Sequence, residues 1–581
     1  SVAYYKLINF SGIAPQISPR LLNDTVGQTA NDVDLDRGVL TPITENSQTQ
    51  ALTQSGRTSI YYYSYAGSNY WLEWTEDVNV QPGPIADDSL ARLYWTGETF
   101  PRMASGDIIT ASGSGRYPRN FYRLGIPAPT AAPTVSVSGT DDGTTTQYST
   151  AYVYTFVSAY GEEGPPSAVS SVVTKVDAQT VTVGGLETSA GSGVGRTNTN
   201  LAKKRIYRSN TGSNTTAFQF VGEVTLATSS FTDNVTNANL GELIPSTYWI
   251  APPDEQTSLY PNGAMKGLTA LPNGIFAGFT GKRLCFSEPF LPHAWPVAFR
   301  TTLEDTIVAI GTTGNGLFVG TEGNPYFVTG VDPQSMTSVR IEAAQACLNK
   351  RSMVDMGPYV IYASPDGLVA AAGTDVRVVT EGLITPKQWQ SDFYPSTIQG
   401  FLWQGKYVGY YASGSNYGGF MFDPRGGKNA LTTLTQTSST STKGGHTDPD
   451  TNELYVIEGS NVKEFQGSTT NESLTFKTKE FVPVKPTKMA FVKVDAEAYS
   501  GDGITIKVFG DGSLYYQAII TASGSAFSVT GQTPSFSATT IPEPILRLPS
   551  GIYKTYEIQV EGAHTINEIC IGESIDELRA V

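Results

Sequence analysis

Residues 353–379 read MVDMGPYVIYASPDGLVAAAGTDVRVV, and their punctuation decides the fold class. Short apolar runs are broken at Pro358, at Ser364-Pro365-Asp366-Gly367 and at Thr374-Asp375. Each break carries residues that favour turns, and the runs between are too short for helices, so the stretch predicts short strands joined by tight turns. The theme recurs at a spacing of roughly 40 residues, in Leu268–Phe286, Ile307–Val328, Ile398–Phe422 and His446–Phe465. Each repeat holds about four short strands, the length and content of a propeller blade. This predicts an all-β, propeller-like core of short four-stranded units across 253–468.

Working outward, residues 1–127 supply more strands of the same kind. Ile60–Tyr65 and Tyr70–Trp74 flank the turn Ala66-Gly67-Ser68-Asn69, a hairpin signal, and Ala91–Trp95 with Asp107–Thr110 suggest a second pair. This part is expected to belong to the propeller-like core and to complete its ring. Ser18 ahead of Pro19, Arg20, Leu21 and Leu22 predicts a short capped helix. A proline-rich linker, Pro127 to Pro133, opens a segment that ends at Pro252-Pro253. The strands expected at Tyr152–Ala159, Thr180–Val183, Arg205–Arg208 and Gln219–Val224 suit a fibronectin III-like β-sandwich at 128–252, inserted between blades. Alternating runs such as Phe491–Ala496, Ile504–Phe509 and Tyr553–Glu561 predict a second, C-terminal β-sandwich over 469–581.

Composition agrees with this reading. Charged residues are 16 % of the 581, below the roughly 25 % of an average globular chain. The 59 glycines and 34 prolines limit helix length, and 31 tyrosines with 25 phenylalanines argue for large packed cores. The net charge of −15 weighs against nucleic-acid gripping, which depends on clustered Lys and Arg. Cys285, Cys347 and Cys570 are far apart and odd in number, which predicts reduced, buried thiols in a cytoplasmic setting. Ser1 to Phe10 show no basic segment followed by a long apolar core, so no secretory leader is expected. No run of about 18 apolar residues predicts a membrane span.

Signatures of chemistry are sparse. The three histidines, His293, His446 and His564, are dispersed, and no zinc, P-loop, dinucleotide or nucleophile-elbow motif occurs. Asp448-Pro449-Asp450-Thr451-Asn452-Glu453 has oxygen side chains spaced as in a calcium loop, but Glu453 and Gly459 stand where Gly and Glu are required, so a turn is expected. Lys203, Lys204, Arg205 and Arg208 form the strongest basic cluster; strand alternation puts Lys203 and Arg205 on one face and Lys204 and Arg208 on the other. Asp366, Glu381 and Glu322 are the loop carboxylates to inspect for glycoside cleavage. No catalytic, cofactor-binding or metal-binding residue is assigned, and no cofactor is expected.

The opening Phe10-Ser11-Gly12-Ile13-Ala14-Pro15, then Ser18-Pro19-Arg20-Leu21-Leu22, Gln28-Thr29-Ala30 and Val33-Asp34-Leu35, resembles the start of bacteriophage tail nozzle proteins, the tail tubular protein B family. Further similar stretches are Ser287–Pro296, Thr321–Tyr326, Tyr362–Leu368 and Glu381–Thr385. The resemblance implies a structural, non-enzymatic virion protein of a short tail, assembled in the host bacterial cytoplasm. It implies a homohexameric distal ring that docks to the tail adaptor below the portal, closes the channel and conducts double-stranded DNA through an acidic lumen. Tail fibres or spikes are expected to meet the 128–252 insertion. Two alternatives stand beside it: a tail-associated glycan-binding or glycan-cleaving propeller, and a neck or head-completion protein.

Overall fold

The computed structural model describes residues 4–211, 216–426, 431–436, 442–499, 501–521, 524–528 and 545–579. Strand makes up 44 % and helix 7 %, and the chain forms two compact units, one of Ser1–Ile60 with Gln345–Val581 and one of Tyr61–Ala344.

In the unit Tyr61–Ala344, three four-stranded antiparallel sheets follow chain order. They comprise Asn79–Pro82, Leu93–Thr96, Arg102–Ala104 and Tyr122–Arg123; then Lys266–Ala270, Phe276–Thr280, Arg283–Phe286 and Thr301–Thr302; then Ile307–Thr313, Gly316–Thr321, Tyr326–Thr329 and Thr337–Arg340. Tyr94, Met103, Leu268, Phe276, Cys285 and Trp295 share one buried cluster between the first two sheets. Phe279, Leu284, Phe286, Leu317, Val319 and Val328 share another between the second and third. Strands covered on both faces read as continuous apolar runs, which is why Gly316–Thr321 is buried throughout. Successive sheets stacked face to face are the packing of propeller blades.

Between the first two blades the chain leaves to build a sandwich. Tyr152–Ser158, Leu201–Thr211 and Thr216–Thr225 form one sheet, and Thr134–Ser138, Thr180–Gly184 and Phe231–Asp233 another, with a smaller pair, Tyr148–Thr150 and Val173–Lys175. Tyr152, Tyr154, Phe156, Val181, Val183 and Ile206 fill its core.

The other unit repeats the blade pattern with Val354–Asp355, Val360–Ala363, Leu368–Ala372 and Asp375–Val378, and with Gln399–Trp403, Lys406–Ser413, Asn416–Phe422 and Leu431–Leu434. A third sheet takes Thr442–Thr447, Leu454–Glu458 and Asn461–Glu464 from the centre of the chain and its outer strand, Ser47–Ala51, from the N-terminal part. Thr29–Asn31 then bridges Leu431–Leu434 to Leu474–Lys477, extending the second sheet through Tyr556–Gly562, Ile504–Gly510, Ser513–Thr521 and Gly524–Ser528 to ten strands. Tyr4–Leu7 pairs with Ile566–Gly572 in a further sheet with Phe491–Ala496 and Ile545–Arg547. Residues 1–127 thus contribute to three assemblies: the C-terminal sheets, the 442–464 blade and the 79–123 blade.

Two local expectations are corrected. Ser18–Leu22 forms turns, with the Leu21 N–H donating to the Ser18 carbonyl and no helix following. No apolar repeat extends beyond Leu22 to repay helix nucleation. Asp107–Thr110 is not a strand: Gly106–Ile109 is a single helical turn, and Leu93–Thr96 pairs instead with its neighbours Asn79–Pro82 and Arg102–Ala104. The longest helix among the described residues, Pro386–Phe393, was not expected from the sequence. Its Thr385 and Gln388 form a capping box, and Trp389 and Phe393 are buried one turn apart.

Candidate functional site

The residues singled out from sequence fall into ordinary structural roles. Asp366 is exposed in the turn between two strands of its blade and accepts from Gln345 Nε2 at 3.0 Å. Glu381 is exposed beyond the last strand of the same blade, and Glu322 is exposed in the other unit. In the Asp448 loop the Asp450 N–H donates to Asp448 Oδ1 at 2.9 Å and the Asn452 N–H to the Asp448 carbonyl at 2.8 Å, a turn that uses its oxygens internally. Among the described residues no group of three or more His, Cys, Asp or Glu is placed to hold a metal ion.

The basic cluster splits between two faces as alternation predicts, and all four charges are engaged. Lys203 pairs with Glu223 at 2.8 Å, and Arg205 reaches Glu163 at 3.2 Å and Glu242 at 2.8 Å. On the inner face Arg208 pairs with Asp233 at 2.6 Å, beside the Tyr152 hydroxyl at 2.7 Å from the same oxygen. Lys204 donates to the carbonyls of Glu187, Leu226 and Thr228. These cations hold the sandwich together instead of offering a phosphate surface.

The most elaborated polar site lies where the inserted sandwich is mounted on its blades. The two crossings meet at Gly125, whose backbone is left-handed and where a side chain would run into Ala251. Arg123, on the last strand before the insertion, is 1 % exposed; it reaches Glu255 Oε2 at 2.9 Å and Asp254 Oδ2 at 3.4 Å beyond the insertion. Its Nε donates to the Thr197 carbonyl inside the sandwich at 3.1 Å, and its guanidinium lies 4.0 Å from the Phe100 ring centre. One side chain therefore ties the strand before, the sandwich and the segment after. Burial pushes the Asp254 carboxyl up, whereas at Glu255 the opposing hydrogen bonds from Arg123 overcome burial and hold it down. Removing one partner of such a buried pair costs about 3–5 kcal/mol, because the other charge is left desolvated.

A second tie comes from the loop Ser287–Pro296. His293 is buried, with Nε2 3.1 Å from the Glu163 carbonyl and Nδ1 3.8 Å from Glu162 Oε2. Burial lowers the pKa of His293, so its neutral ring donates from Nε2 to that carbonyl. Glu163 in turn accepts from Thr155 at 2.7 Å and Tyr207 at 2.6 Å, which anchors the contact in the sandwich core. Trp295 is fully buried and donates from Nε1 to the Pro292 carbonyl at 2.7 Å. Arg123, Glu163, Asp254 and Glu255 were not visible as a site in the sequence; the signal available was an arginine inside the apolar run Phe121–Leu124. The arrangement is a mount that fixes the sandwich to its blades.

These sheets define the class, an all-β protein with a propeller-like core and an inserted sandwich. No protein-family model matches the chain, and no curated protein matches it. Solved structures similar to it include BamB from Moraxella catarrhalis, at 14 % identity and TM-score 0.21 over 50 % of this chain and 82 % of that one. Virginiamycin B lyase from Staphylococcus aureus is similar at 11 % identity and TM-score 0.25, over 67 % and 98 %. BBS1N, solved in complex with ARL6DN, is similar at 11 % identity and TM-score 0.27, over 74 % and 98 %. The fold class rests on the sheet order within this chain, to which likeness at this level adds nothing.

Proposed function

We propose that the chain is a structural virion protein of the tail nozzle type, forming a homohexameric ring that docks to a tail adaptor and conducts DNA during ejection. The observation that carries the reading is where the family-like residues stand. Phe10–Ala14 is buried, Ser11–Ile13 pairs with Val26–Gly27, and Thr29–Asn31 joins a blade to the C-terminal strands. The Ser287–Pro296 stretch supplies His293 to the sandwich mount. The resemblance therefore lies in the parts that build this particular architecture. The acidic balance of −15 suits a conduit, since phosphate affinity comes from cationic contacts and a negative wall does not retain the polyanion.

Native mass spectrometry of the full chain, alone and with a portal–adaptor complex, tests the proposal. A hexamer, free or formed on the adaptor, is expected. A chain that stays monomeric with the adaptor present overturns it.

A further inference from the structure

A cavity of about 160 Å³ opens beside the sandwich mount, between the loop that carries Asp88 and Arg92, the sandwich residues Tyr160 and Glu162, and the Phe290–His293 loop. All of these residues belong to the unit Tyr61–Ala344. We propose that this cavity is a binding site for a single neutral sugar ring, the terminal residue of a glycan. The site is separate from the ring-forming role proposed above and does not rest on it.

Four observations carry the inference. First, the polar groups are built in and partly uncommitted. Arg92 gives its Nε to Asp88 Oδ2 at 2.8 Å, and Asp88 Oδ1 accepts from the Leu90 N–H at 3.2 Å. The two terminal guanidinium nitrogens of Arg92 and the hydroxyl of Tyr94 have no hydrogen-bond partner among the described residues, although Tyr94 is almost wholly buried. Aligned donors on a fixed scaffold are what vicinal hydroxyls require.

Second, an aromatic platform stands at the rim. Phe290 is 51 % exposed while its ring lies against Gly274, a position where a side chain would collide with it. Such a ring, supported from behind, offers a flat face to the C–H side of a sugar. Across the cavity the Arg92 guanidinium lies 5.9 Å from the Tyr160 ring centre.

Third, the backbone is strained here. Phe290 has φ 59°, and in the opposite loop Asp87 and Ala91 have φ 54° and 46°. Non-glycine residues in the left-handed region cluster where function holds them against their preference. In a fold with this many glycines, a phenylalanine kept in that conformation with its ring in solvent calls for a reason other than stability.

Fourth, charge selects the ligand. Asp88 and Arg92 neutralise one another, Glu162 adds a carboxylate, and His293 is buried with its Nε2 committed to the Glu163 carbonyl. The carboxylates disfavour a phosphate or sulfate and the guanidinium disfavours a cation, which leaves a neutral polyhydroxylated ring. Its size agrees: a cavity of about 150 Å³ holds one six-membered ring.

The test uses the full chain with the methyl glycosides of glucose, galactose, mannose and N-acetylglucosamine, and with methyl glucuronide and glucosamine as charged comparators, read by saturation-transfer NMR and calorimetry. At least one neutral glycoside is expected to bind with a Kd on the order of 1 mM or tighter. Phe290→Gly removes the platform and relieves the strain, so binding is expected to weaken at least about tenfold while Tm stays level or rises. Arg92→Lys keeps the charge but loses the planar fork, and is expected to weaken binding as well, which covers the case of an unstable Phe290 variant. Binding of the charged sugars alone, binding of no glycoside, or binding unchanged in a folded variant overturns the proposal.

Discussion

His446 shows how a single half-buried ring sets a pH response. It sits in Thr442–Thr447 at the register of Tyr455, and burial lowers its pKa to about 4 against an ordinary value near 6.5. Below pH 6.5 the unfolded chain takes up a proton that the folded state still refuses. The stabilisation is therefore complete above pH 6.5 and is lost as the pH falls toward 4, by an amount on the order of 3 kcal/mol. Urea denaturation at pH 7.5 and 4.5 is expected to show a smaller pH difference for His446→Gln than for the parent chain; an equal difference would show that the acid sensitivity arises elsewhere. Residue-scale legibility was uneven. Alternation in Lys203–Arg208 correctly divided the faces, yet it could not show that the inner pair would be buried. Their partners, Asp233 and the carbonyls of Glu187, Leu226 and Thr228, come from other strands and loops.

Elements were most legible where strands alternate or run apolar between turn residues, as in the 353–379 blade. The helix misreading at Ser18 and the overlooked helix at Thr385 differ in one respect. Both begin with a cap and a proline, but only Pro386–Phe393 continues to an apolar pair, Trp389 and Phe393, that packs. The inserted sandwich is the element with the clearest consequence. Because Gly125 meets Ala251 where its two crossings come together, replacing residues 127–250 by a short Gly-Ser linker leaves each blade strand with its own partners. The deleted chain is expected to stay folded by near-UV circular dichroism and to resist limited proteolysis, despite losing the Thr197 and Glu163 contacts. Under the proposed function, virions carrying it are expected to lose fibres or spikes; full fibre attachment would remove the insertion from that role.

For the molecule as a whole the decisive quantity is charge. The chain has a net charge of −15 and a pI near 4.8, and among its described residues Arg123, Arg205 and Arg208 are all held in ion pairs. Under the proposed function, a ring of such subunits would multiply the negative sign. The isolated protein is therefore expected not to retard linear double-stranded DNA in a gel at about 0.15 M salt, where non-specific binders depend on clustered Lys and Arg. Retardation that weakens steeply with added salt would reveal a basic surface and contradict the conduit argument.

By itself the sequence determined the all-β class, the blade-length repeat and the inserted sandwich, because turn residues and apolar runs act over a few positions and leave a local record. Only the tertiary structure decided which distant segments complete which sheet, as when Ser47–Ala51 closes the 442–464 blade and Tyr4–Leu7 joins Ile566–Gly572. It alone placed Arg123 against Glu255 and opened the cavity beside Phe290. These particular pairings join groups more than a hundred residues apart, and nothing in the neighbourhood of either partner encodes the other.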